Sequence, residues 1–127
     1  MSIAITEEHQ ELARVARAFL ADSGARAATR ARLEAPEESL PPFWKPLCEL
    51  GWTGLHLPEA VGGQGFGLPE LAVVIEELGY AVAPGPFLPT VWASAVIDAA
   101  GDPELRQALL PGLASGTVIG TVGLAGS

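Results

Sequence analysis

Residues 62–67 read Gly-Gly-Gln-Gly-Phe-Gly, four glycines in six positions. Neither a helix nor a strand runs through such a stretch, because each glycine surrenders more backbone freedom on ordering than any other residue. The run therefore divides the chain into regular segments that stop before it and start after it. Glycines this dense also mark a backbone that needs positive φ or lets another group come very close. A dinucleotide fingerprint would place Gly-x-Gly-x-x-Gly between a strand and a helix, and a phosphate loop would end in Gly-Lys-Ser/Thr. Here there is no lysine, the spacing differs, and both flanks carry helical patterns. A turn between packed helices fits the run better than a nucleotide site.

The flanking patterns are those of amphipathic helices. Thr6 can cap a first helix, Glu7 and Glu8 suit its first turn, and Leu12, Val15, Ala16, Phe19 and Leu20 recur at helical spacing. This helix is expected to end near Gly24, with a second helical stretch to about Leu33 and a loop over residues 34–42. "PFWKPLCELG" reads as a short helix stopped by Gly51. Residues 68–82 form the strongest pattern, with Pro69 in the first turn and Leu71, Val74, Ile75 and Leu78 on one stripe. Residues 90–101 are apolar nearly all round, which predicts burial on most sides. Asp102 and Pro103 open a last helix that Pro111 and Gly112 are expected to close. The tail "TVIGTVGLAGS" turns β-branched and glycine-rich and predicts a strand, for which the chain supplies no partner.

Charge narrows the function. With 15 acidic and 7 basic side chains the net charge is −8, and Arg14, Arg17, Arg26, Arg30, Arg32, Arg106 and Lys45 are too dispersed for a nucleic-acid face. His9, His56 and Cys48 have no metal-site spacing. The single Cys48 fits a reducing cytoplasm, and the N-terminal residues lack a secretory pattern. The uncharged run Gly79–Ile97 approaches a membrane span in length, but Pro84, Pro86 and Pro89 break it, so no span is expected. With 49% apolar and only 17% charged residues, the chain reads as a domain whose apolar surface is to be covered by something else.

"LCELGWTGLHLPEAVGGQGFGLPELAVVIEELG", residues 47–79, resembles the N-terminal helical domain of the acyl-CoA dehydrogenases, with residues 6–22 and 99–116 matching the family's first and later helices. The resemblance covers essentially the whole chain. It implies an all-α orthogonal helical bundle over 1–116, followed in 117–127 by the first strand of a middle β domain that is otherwise absent. It implies an FAD-dependent α,β-dehydrogenation of acyl-CoA, with a glutamate base in a C-terminal region outside this sequence. Electron-transfer flavoprotein would be the acceptor, and the remaining domains or partner chains would complete a homo- or hetero-oligomer. The family's middle domain opens with Thr-Glu-Pro-x-x-Gly-Ser at the flavin; Thr121, Gly126 and Ser127 match it, whereas Val122 and Gly123 replace Glu and Pro. That departure supports an alternative, a non-catalytic scaffold subunit or half of a heteromeric dehydrogenase. "AVAPGPFLPT" is similar to actinobacterial members of the family acting on bulky chains such as steroid side chains.

No catalytic residue is assigned in this chain. Glu76 and Glu77 are adjacent on a helix, so their side chains point about 100° apart and cannot converge on one proton. Val73, Glu77 and Tyr80 form a stripe beside the core stripe, and the resemblance makes them candidate acyl-chain lining. His56, between Leu55 and Leu57, reads as a packing histidine, and Trp44, Trp52 and Trp92 as core or interface aromatics.

Overall fold

In a computed structural model of the chain, residues 5–126 are described and are all-helical, with no strand among them. Six α-helices follow in order: α1 (Glu7–Asp22), α2 (Ala25–Leu33), α3 (Trp44–Glu49), α4 (Leu68–Tyr80), α5 (Phe87–Ala100) and α6 (Pro103–Ser115). Single 3-10 turns at Trp52–Gly54 and Glu59–Val61 lie between α3 and α4. The chain forms two compact units, each built from two separate stretches. One takes the chain up to Trp44 together with Leu68–Gly85; the other takes Lys45–Gly67 and the chain from Pro86 onward.

The first unit is α1 against α4, with α2 alongside. Thr6 caps α1 as its sequence predicts, accepting the His9 N–H at 3.1 Å, while His9 Nδ1 accepts the Thr6 N–H at 3.3 Å. The histidine thus takes the place usually held by Glu or Gln in a reciprocal cap. Ala16, Leu20, Leu71 and Val74 are buried, and Phe19 meets Phe43 edge to face at 6.4 Å between ring centres. Gly24 begins α2 in a left-handed conformation, φ 64°, which separates it sharply from α1.

The end of α4 is unusual. Ala83 N–H reaches back to the Leu78 carbonyl and Val82 N–H to that of Gly79, the paired bonds that normally surround a left-handed glycine. Here the left-handed position holds a β-branched residue, Val82, at φ 51°. Its side chain is 55% exposed, so packing offsets little of the strain. The Thr29 hydroxyl donates to the Val82 carbonyl and holds the turn from α2.

In the second unit, Leu57, Leu110, Leu113 and Ala114 form a core on which Val61 and Ile97 also pack. The glycine run answers to this core. Gln64, Gly65 and Phe66 donate backbone bonds to the carbonyls of Gly54, Leu57 and Leu55, folding 63–66 back over 54–58. A Cβ at Gly63 would lie 2.1 Å from the Leu57 carbonyl oxygen and 2.7 Å from Leu57 Cβ, so that glycine is required for space. At Gly62 there is open space but φ is 88°, so that one is required for conformation.

Three expectations are corrected. α6 does not close at Pro111 and Gly112 but continues to Ser115, where Gly116 ends it at φ 74°. A proline here forfeits one bond, to the Gln107 carbonyl, and both residues lie on the exposed side, where water can replace it. α5 begins at Phe87, before the expected 90, because Pro89 falls in the first turn, where its missing N–H has no partner to lose. Nor is α5 buried on most sides: Leu88, Trp92 and Val96, four apart on one stripe, are 52%, 44% and 45% exposed. Apart from these three, residues 117–126 pair as a strand with no other described segment, so the expected first strand has no sheet here to join. The tail is held at Gly120, whose N–H donates to Thr90 Oγ1 at 3.3 Å.

Replacing Val82 by glycine is expected to raise stability by about 0.5–1 kcal/mol, because relief of left-handed strain exceeds the added freedom of the unfolded chain. Urea unfolding reads this directly. In the glycine run, Gly63→Ala should cost about 1–3 kcal/mol through overpacking, and Gly62→Ala about 1–2 kcal/mol through strain. Trimming Leu57 to Ala in the same background should ease neither, because the Gly63 clash is with the Leu57 carbonyl and Cβ, which alanine retains.

Candidate functional site

α4 presents Val73, Glu77 and Tyr80 differently from one another. Glu77 is buried, 7% exposed, and spends both oxygens on Arg17 of α1: Nε donates to Oε2 at 3.1 Å and Nη2 to Oε1 at 2.7 Å. A carboxylate clamped this way is neither a free base nor a free substrate ligand; it fastens α4 to α1. Glu76, the neighbour, is exposed. Val73 is half-buried and Tyr80 is 75% exposed.

Glu77 and Tyr80 both line a recess of about 430 Å³ between the end of α1, the start of α2 and the end of α4; Val73 does not. Arg17 and Arg26 line it too, and Arg26 Nη2 donates to the Tyr80 carbonyl at 3.3 Å. Glu77 raises the pKa of Arg17, first by its hydrogen bond and then by its charge, and the Tyr80 phenol adds in the same direction. Nothing in the spacing of Arg17, Arg26 and Tyr80 announces that they meet, since they come from three helices.

The second unit holds a Ser–His contact that the sequence does not signal, His56 and Ser94 lying 38 residues apart. His56 Nε2 is 3.0 Å from Ser94 Oγ. The serine gives its one proton to the Val91 carbonyl at 2.9 Å, so His56 must be the donor and Nδ1 carries the lone pair. That Nδ1 is buried with no partner. Burial, the largest effect, lowers the His56 pKa below 6.5, against a weaker opposing pull from Asp98. Ser94 is fully buried and its hydroxyl is committed, so the pair is packing, not a nucleophile and its base. Cys48 is equally unsuited to attack, because burial raises its thiol pKa.

Of the tail residues matched to the flavin motif, Thr121 and Gly126 are exposed and Ser127 lies outside the described residues. A Cβ at Gly123 or Gly126 would meet nothing within 4 Å. An open segment of this kind gives a flavin no walls, so these residues by themselves do not fit FAD and would need other polypeptide around them. Among the described residues there is also no group of three His, Cys, Asp or Glu placed to hold a metal, and no helix long and apolar enough to cross a membrane.

The helical order, the glycine turn between α3 and α4 and the capped α6 are the features of one family. The profile of the acyl-CoA dehydrogenase N-terminal domain matches residues 6–117. The chain belongs to that family. The acyl-CoA dehydrogenase IpdE2 of Mycobacterium tuberculosis is 35% identical over 117 residues, covering 91% of this chain and 36% of that protein. Among solved structures, a variant of the Tcur3481–Tcur3483 steroid ACAD superposes with a TM-score of 0.80 at 37% identity, over 93% of this chain and 32% of that one. The ChsE4–ChsE5 complex of Mycobacterium tuberculosis gives 0.85 at 28% identity, over 100% and 35%. This acyl-CoA dehydrogenase domain thus spans about a third of the length of the relatives it matches.

A lowered His56 pKa fixes the sign of one pH effect. The unfolded chain binds this proton more readily than the folded one, so stability falls as pH drops through about 6.5. Thermal midpoints measured from pH 7.5 to 5.5 should decline, and His56→Gln, which keeps an N–H for Ser94, should flatten part of that slope.

Proposed function

We propose that this domain is the N-terminal part of an FAD-dependent acyl-CoA dehydrogenase, completed by further domains or partner chains that supply the flavin site and the catalytic base. The family match across 6–117 carries this reading, together with relatives that are named as dehydrogenases and are about three times as long. The completed enzyme would dehydrogenate an acyl-CoA thioester between its α and β carbons, with FAD held by the other domains supplying the oxidant and electron-transfer flavoprotein as acceptor. The steroid ACAD among its structural neighbours favours a bulky steroid-derived acyl group. A cytoplasmic oligomer is the setting that follows.

Within this reading α4 walls the acyl cavity through Val73 and Tyr80, while Glu77 acts by holding the helix against α1. Thr121, Gly126 and Ser127 would edge the flavin once the tail is built into a sheet as the first strand of the middle domain.

A second reading has specific support: this chain is the unequipped half of a heteromer. Val122 and Gly123 stand where the flavin motif has Glu and Pro, and one structural neighbour is itself a complex of two named components, ChsE4 and ChsE5. Purification of the domain with its completing chain decides between them. A flavin absorbance bleached by acyl-CoA, with Tyr80→Ala raising KM several-fold and leaving kcat near wild type, supports the first reading with its α4 wall. Flavin that stays fully bound when residues 117–127 are deleted supports the second. No flavin in any assembly defeats both.

A further inference from the structure

Seven basic side chains are scattered along a chain of net charge −8, yet two of them, Arg17 and Arg26, come together at one recess of the first unit. Its volume, about 430 Å³, falls within the size of small-molecule sites, roughly 300–1,000 Å³. Its apolar lining is Leu20 together with the methyl-sized side chains of Ala21, Ala25, Ala27 and Ala81. Arg17, Arg26, Glu77 and Tyr80 supply all of its charge and side-chain hydrogen-bonding capacity.

The charge at this recess does not cancel. Arg17 answers Glu77 with Nε and Nη2 and consumes both carboxylate oxygens. Arg26 meets no carboxylate among the described residues; its Nη2 rests on the Tyr80 main-chain carbonyl, which leaves its other donors outside that bond. Among the side chains that line the recess one positive charge is left in excess, at Arg26, beside an exposed phenol and an apolar lining, while Glu76 acts on Arg17 from outside it. A guanidinium fork matches a carboxylate in plane and spacing, and a single excess charge suits a monoanion better than a phosphate dianion. Leu20 and the alanines offer an apolar body contact beside that charge.

The geometry points to a binding site for a small amphipathic carboxylate, its anionic end at Arg26 and Tyr80 and its apolar end over the alanines. This rests on the reading of α4 as a ligand-facing helix and deepens it by naming the chemistry received at its C-terminal end. The family match alone assigns this recess no ligand.

Isothermal titration of the full chain with octanoate, and separately with 1-octanol, tests the site. Octanoate should bind saturably and about tenfold more tightly than the alcohol, the difference of one charge-assisted contact. Arg26→Gln should remove most of that preference. Ala27→Glu should lower octanoate affinity by about tenfold or more by placing a like charge at the lining. Glutamate is well tolerated in a first helical turn, so helicity by circular dichroism should not change in that variant. Equal affinity for acid and alcohol, an Ala27→Glu chain that binds octanoate like wild type, or no saturation at all would overturn the proposal. If octanoate fails to bind while the assembled flavoprotein is bleached by acyl-CoA, the recess proposal alone falls. If octanoate binds and no assembly is bleached, the dehydrogenase reading alone falls.

Discussion

Leu57 reaches a fully buried position only because the backbone around it abandons regular structure. It sits between two single 3-10 turns, and the segment that folds back over it must pass close enough to hydrogen-bond its carbonyl. A side chain larger than hydrogen at Gly63 would collide with Leu57 itself. Gly54 is confined from another side, since a Cβ there would lie 3.0 Å from Ala114. The same backbone is fixed by the Thr53 hydroxyl, which donates to the Ala114 carbonyl at 2.7 Å. Gly54 therefore serves close packing against α6 and Gly63 close packing on Leu57, while Gly62 supplies a positive φ, and the core of the second unit depends on them.

The first unit is organised by a different constraint, a carboxylate that would be costly to bury alone. Glu77 is tolerated inside because a bidentate guanidinium from α1 meets it, and that pair sets which faces of α1 and α4 oppose each other. It also changes what the glutamate can do. A residue that stood on the acyl-lining stripe by spacing is, in the fold, a fastener with no oxygen to spare. The neighbouring strain at Val82 and the gathering of Arg17, Arg26 and Tyr80 fall at the same end of α4, where rigidity and recognition would coincide.

Much of this was legible beforehand. Thr6, Asp102 and Pro103 announced helix starts through cap chemistry that acts over three or four residues, and Gly51 announced a stop. Pro111 misled because proline's cost depends on whether solvent can reach the freed carbonyl, which is a property of the folded surface. The burial of α5 misled for a related reason: composition states what a face is made of and cannot state what covers it. Leu88, Trp92 and Val96 are apolar in either case.

The sequence by itself determined the local elements, the turn at residues 62–67 and membership of the acyl-CoA dehydrogenase family, because capping, periodicity and glycine density are encoded within a few residues of one another. Tertiary structure alone decided the contacts that carry chemistry: Arg17 with Glu77 across 60 residues, His56 with Ser94 across 38, and the recess where three helices meet. Hydrogen bonds and charges are selective at a few ångströms, and separation along the chain says nothing about that distance until the helices have packed.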